Sequence, residues 1–162
     1  MPESDSDVRI AGIKAARAPE TLSAIGLGSC VALILWEPQM RVGALAHIML
    51  PSSLAFPPSP LPGKFADTAL PALLQQLKDL GARQGNLVGK LVGGANMFSA
   101  QMAPNQLSLG LRNVMAAREA LRLSGIPLKA EEVGGTKGRT IKFRPEDGRV
   151  LVRKMYETDV WL

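Results

Sequence analysis

Gly26-Leu27-Gly28-Ser29-Cys30 runs directly into Val31-Ala-Leu-Ile-Leu-Trp36, then through Glu37-Pro38-Gln39-Met40 into a second apolar run, Val42-Gly-Ala-Leu-Ala-His47. The stretch holds the only cysteine and the only histidine among 162 residues. Two β-prone runs joined by four residues read as an antiparallel hairpin. Pairing Trp36 with Arg41 sets Cys30 directly opposite His47, on one face, with Cβ atoms roughly 4.5–5.5 Å apart. The reading depends on register, because a slip of one residue would send the two side chains to opposite faces.

A thiol opposite an imidazole predicts nucleophilic chemistry. A neighbouring imidazolium lowers a thiol's pKa and so raises the thiolate fraction. Gly26 and Gly28 leave the backbone before the cysteine uncovered, so N–H groups at Gly28, Ser29 and Cys30 would face a developing oxyanion, a contribution of about 3 kcal/mol per donor. The competing reading of the same residues is structural: a small buried hydrophobe at Cys30 and a satisfied core histidine at His47.

Working outward, residues 1–7 are acidic and polar and read as a disordered tail, leaving 8–162 as a single domain. Strands are expected over Val8–Ile13, with Ala15–Glu20 as a connector, and over Thr21–Leu27. Pro51 to Gly63 carries five prolines and reads as a surface loop bordering the site, either a lid or a tolerated insertion. Apolar residues from Ala66 to Leu80 recur at three and four and predict a helix with Asp67 as its N-cap. A second helix is expected from about Ser108 to Ser124, with Leu111, Val114, Met115 and Leu121 inward. Leu87–Val92 forms a strand entering Gly93-Gly94, which puts Ala95, Asn96, Met97 and Phe98 on a loop at a strand end. Strands 128–133, 139–143 and 149–155 complete the chain. The fold class is α/β of the α+β type: one domain of mostly antiparallel sheet layers with two covering helices.

Composition narrows the function. With 46% hydrophobic and 20% charged residues the chain reads as an ordinary globular protein. No apolar run approaches the ~20 residues of a membrane span, and the first residues are unlike a signal peptide, which favours the cytoplasm without membrane insertion. A lone cysteine forms neither an internal disulfide nor a multi-cysteine metal site, so no metal and no cofactor are expected. The net charge of +5 would suit an acidic partner, whereas scarce aromatics and the lack of a basic helix argue against nucleic acid.

The residues also resemble a known family. Gly26-Leu-Gly-Ser-Cys30 followed by His47-Ile-Met-Leu-Pro51 looks like the signature of CheD, and the likeness continues through Gly63-Lys-Phe-Ala-Asp67, Gly93-Gly-Ala-Asn-Met-Phe98, Gly110-Leu-Arg-Asn113, Gly134-Gly135 and Gly148-Arg-Val-Leu-Val-Arg-Lys154. That resemblance implies a cysteine hydrolase converting glutamines of methyl-accepting chemotaxis receptors to glutamates, on a fold similar to glutamine-deamidating toxins. It implies Cys30 as nucleophile, His47 as base, the Gly94–Phe98 loop as site lining, and a CheC-type phosphatase as a further partner. The family pattern carries a threonine six residues before the cysteine as a third catalytic member, and here that position is Ala24. Thr21 and Ser23 are the nearest hydroxyls, at offsets that turn them to the other face, so a backbone carbonyl is the remaining candidate to hold the imidazole. The departure at Ala24 also suits an adaptor with weak catalysis that binds receptors and the phosphatase.

Overall fold

Every side chain from Val31 to Leu35 is fully buried, so this strand is covered on both faces and its neighbours must supply two different cores. The computed structural model describes residues 4–103 and 105–162. In chain order the elements are β1 (Asp5–Asp7), β2 (Ile13–Arg17), β3 (Thr21–Leu27), β4 (Val31–Glu37), β5 (Val42–Ile48), α1 (Ala66–Asp79), β6 (Val88–Gly93), α2 (Leu109–Leu123), β7 (Leu128–Val133), β8 (Arg139–Phe143), β9 (Val150–Arg153) and β10 (Val160–Trp161). They form two five-stranded sheets, ordered β1-β3-β8-β9-β10 and β2-β5-β4-β6-β7. Most pairs are antiparallel; β1 with β3 and β6 with β7 run parallel.

Alternation along the central strands divides the cores. Val31, Leu33 and Leu35 of β4 and Val42, Ala44, Ala46 and Ile48 of β5 pack against Leu70, Leu73 and Leu77 of α1 and Val114, Ala117 and Leu121 of α2. The intervening Ala32, Ile34 and Leu45 face the other sheet, against Leu22, Ala24, Leu27, Ile141, Phe143 and Val152. The molecule is therefore helices on sheet on sheet, and the expected α+β class, with two helices covering mostly antiparallel sheets, is what the structure shows. Among the described residues no helix is long and apolar enough to cross a membrane.

The hairpin register differs from the expected one by two residues. Glu37 pairs with Val42, Ala32 with His47 and Val31 with Ile48. Glu37 causes the shift: it is buried, and its carboxylate accepts the N–H groups of Gln39 and Met40 at 2.9 and 3.2 Å. That closes a Pro38–Arg41 connection, also of four residues, in which Arg41 takes a left-handed φ of 52°. An even shift preserves the face, so Cys30 and His47 stay on the same side as diagonal rather than direct neighbours.

Other expectations are corrected at the N-terminus. Residues 5–7 of the expected tail form β1, because the Asp5 carboxylate accepts hydrogen bonds from Thr21 Oγ1 at 2.8 Å and Ser23 Oγ at 2.8 Å. The first three residues lie outside the described residues. Val8–Gly12 is a crossing between sheets, turned by a left-handed Ala11, and the strand falls instead on 13–17, from the last residue of the expected strand into the expected connector. The 51–63 loop folds back onto α1, with Ser53 bonded to Asp67 and Phe56 against Phe65. Asp67 thus takes part in a loop contact, while Phe65 stands at the cap position. On α2 the Ser108 hydroxyl does cap, accepting Leu111 N–H at 3.1 Å. Yet Leu111 and Met115 are 39% and 50% exposed; the inward stripe is the narrower Gly110, Asn113, Val114, Ala117 and Leu121.

Candidate active site

His47 lies on β5 in the same alternation as Leu45, facing the layer between the two sheets. Its imidazole is almost completely buried. Nδ1 is 2.9 Å from the Val8 carbonyl oxygen. A carbonyl only accepts, so Nδ1 carries the hydrogen and donates it, which leaves Nε2 with the lone pair of the neutral ring. Nε2 is buried and has no hydrogen-bond partner among the described residues. The strand holding the ring is itself clamped, with His47 N–H on Gly12 O at 3.0 Å and Ala11 N–H on His47 O at 2.9 Å.

Cys30 stands one residue before β4, half-buried, with its side chain against the inter-sheet core. Being two residues before Ala32, the cross-strand partner of His47, it is the diagonal neighbour of the histidine on the same face, at the roughly 7–8 Å spacing of such pairs. Burial pushes the Cys30 thiol above its ordinary pKa. Burial also pulls the imidazole of His47 below its ordinary value, against the opposing pull of the Val8 carbonyl and the charge of Asp7. Both shifts favour the uncharged forms. The environment of the pair thus favours a neutral thiol beside a neutral imidazole.

The turn before the thiol is held at every carbonyl. Gly28 O accepts Ala95 N–H at 2.8 Å, Cys30 O accepts Gly94 N–H at 2.8 Å, and Ser29 O accepts the Asn113 Nδ2 hydrogen at 2.9 Å. Among the described residues, neither the Ser29 nor the Cys30 N–H has an acceptor. The Gly93-Gly94 pair makes this approach possible. Both have positive φ, 114° and 70°, and a Cβ on Gly93 would strike the Cys30 carbonyl oxygen while one on Gly94 would strike Val114.

A cleft of about 510 Å³ opens over the thiol, lined among others by Gly28, Ser29, Cys30, Ala95, Asn96 and Met97. Phe98 completes the expected lining, and Gly94, wholly buried, supports it from below. Asn96 is fastened by its N–H to Gly135 O at 2.8 Å and by Nδ2 to Met102 Sδ at 3.1 Å. Met102, the approach to α2 from Gln106 to Ser108, and Leu109, Gly110 and Arg112 in its first turn form the opposite wall. Sequence reasoning missed that wall, whose only signal was the Gly110 to Asn113 motif. No residue of the 51–63 loop lines the cleft, so the lid expected there is withdrawn.

Ala24 is buried in the layer between the sheets, paired with Ile141. Thr21 and Ser23 point the other way and spend their hydroxyls on Asp5, so neither takes the place of the absent threonine. Val8, whose carbonyl meets the imidazole, was read only as part of a strand, since a backbone acceptor leaves no mark in side-chain sequence.

Comparison with known proteins fits this geometry to a family. Residues 49–154 match the family described as CheD chemotactic sensory transduction. Over 146 residues the chain is 44% identical to a protein of Caldanaerobacter subterraneus subsp. tengcongensis, covering 90% of each chain. Over 150 residues it is 43% identical to one of Desulforamulus reducens, covering 93% of this chain and 90% of the relative. It is also 44% identical to one of Methanococcus maripaludis, over 91% and 93% of the two chains. Each of the three bears the name "Probable chemoreceptor glutamine deamidase CheD". The chain belongs to the CheD family.

Proposed function

We propose that this protein deamidates glutamine side chains on the cytoplasmic region of chemotaxis receptors, with Cys30 as nucleophile and His47 as general base. The observation that carries the reading is the tautomer of His47. Its Nδ1–H is committed to Val8 O, so the lone pair lies on Nε2, which has no partner among the described residues and belongs to the face that bears Cys30.

Because the environment favours the neutral pair, the thiolate forms as it attacks. Nε2 takes the Cys30 proton while sulfur bonds to the glutamine amide carbon, and the carbonyl oxygen becomes an oxyanion held by the Ser29 and Cys30 N–H groups. The tetrahedral intermediate collapses as the imidazolium returns a proton to nitrogen, and ammonia leaves. Water, deprotonated by the same Nε2, then hydrolyses the thioester to glutamate and free thiol. The Val8 carbonyl orients the ring throughout and supports the transient imidazolium, the part a third side chain would otherwise play. The Met97 and Phe98 rim suits the methylene stem of a glutamine, and each turnover leaves one new negative charge on the receptor.

The test is ammonia release from a receptor cytoplasmic fragment by wild type, Cys30→Ser and His47→Ala. Release by wild type alone supports the proposal. Equal release by Cys30→Ser would refute it, and a wild type that binds the fragment without releasing ammonia would favour the adaptor that partners a CheC-type phosphatase.

A further inference from the structure

Asn113 is fully buried on α2, immediately after Arg112, the last residue of the helix that walls the cleft. Its Nδ2 donates twice, to Ser29 O at 2.9 Å and to Met49 O at 3.1 Å. Both partners are carbonyl oxygens, so the amide has one satisfactory orientation. In that orientation its Oδ1 is buried without a donor among the described residues. A buried acceptor left unmade is a cost to folding, and an apolar side chain of the same size would avoid it. It would also leave the Ser29 and Met49 carbonyls without their donor, so the case for asparagine lies in its two N–H bonds.

Met49 is two residues past His47, and Ser29 immediately precedes Cys30, so one amide fastens the base strand to the nucleophile turn. The bond to Ser29 O also fixes a peptide plane. The Ser29–Cys30 bond is trans, and in a trans peptide the N–H points opposite to the C=O. With the carbonyl drawn toward α2, the Cys30 N–H is turned the other way, where it has no acceptor among the described residues. Ala95 N–H does the same for Ser29 by holding Gly28 O.

We infer that Asn113 is a positioning residue that aims the Cys30 N–H at the oxyanion. The inference rests on the deamidase reading of the cleft.

Asn113→Leu keeps the volume, removes both bonds and removes the unpartnered oxygen. Ammonia release from a receptor fragment should show kcat reduced by about 10²–10³, the loss typical of one oxyanion donor, with KM little changed and the fold retained by circular dichroism. Alkylation of Cys30 by iodoacetamide forms no oxyanion and should keep its rate. Backbone NMR supplies a readout independent of turnover: the Ser29 carbonyl ¹³C and Cys30 amide ¹⁵N resonances should move, and those of Gly28 should not. Unchanged kcat, or alkylation falling in step with kcat, would overturn the assignment. So would an unmoved Cys30 amide. If wild type releases no ammonia, the deamidase reading fails by itself, and the resonances still decide whether Asn113 sets this peptide.

Discussion

A methyl group on Gly110 would drive α2 away from the loop it braces. An ideal Cβ there lies 2.5 Å from Ala95 O and 2.6 Å from Gly94 C, with Gly94 O nearer still. Ordinary contact begins at 3.4 Å, so helix or loop must retreat by at least about 0.9 Å, the difference between 3.4 and 2.5 Å. In stability the effects partly cancel. Alanine gains about 1 kcal/mol over glycine within a helix, and overpacking costs about 1–3 kcal/mol. The net loss is about 0–2 kcal/mol, a fall in Tm of at most ~8 °C for a chain of this size. Activity should suffer far more. The residues pushed are those whose N–H groups hold Gly28 O and Cys30 O at 2.8 Å, and a displacement near 1 Å around a reaction centre costs about 100-fold. Gly110→Ala is therefore expected to stay folded by circular dichroism and to release ammonia from a receptor fragment about 100-fold more slowly. A variant with normal Tm and wild-type kcat would refute the claim that close helix–loop contact holds the turn.

Three further outcomes follow from His47 and its neighbours. Ala24→Thr should leave kcat nearly unchanged, because the single Nδ1 hydrogen is already taken by Val8 O; a tenfold rise, about 1.4 kcal/mol, would show that the carbonyl alone does not hold the ring. In pH titrations the Cys30 alkylation rate should still be climbing above ~8.5, since burial raises the thiol, and a midpoint below that value would contradict a neutral pair. Stability carries the opposite mark of the histidine. The unfolded ring protonates near ~6.5 while the buried one resists to lower pH, so stability is lost as pH falls from ~6.5 through the depressed value. His47→Gln should soften that acid limb in urea titrations, and equal slopes would refute the link.

What the sequence made legible followed from side-chain pattern. The paired runs 31–36 and 42–47 announced a hairpin and placed the thiol and imidazole on one face. That conclusion survived a register error because the error was two residues and not one. The cause, a buried carboxylate at Glu37 capping its own turn, is a tertiary circumstance, since acidic residues beside prolines usually face water. The inward face of α2 was misjudged because Leu111 and Met115 have the right spacing and size, whereas close packing selected Gly110, Asn113 and Ala117. The Val8 carbonyl was beyond reach for a plainer reason: every residue has one, and only the fold decides which meets the histidine.

On the deamidase reading, that same carbonyl gives the segment around β1 a part in catalysis out of proportion to its size. Val8 follows an outer strand of three residues, the kind of element that opens first in a folded chain. An imidazole latched to it inherits its opening equilibrium: each excursion of residues 5–12 frees the ring to turn at the cost of one edge strand. Proteolytic trimming of this margin, or a bulky fusion ahead of it, would silence the base without unfolding the protein.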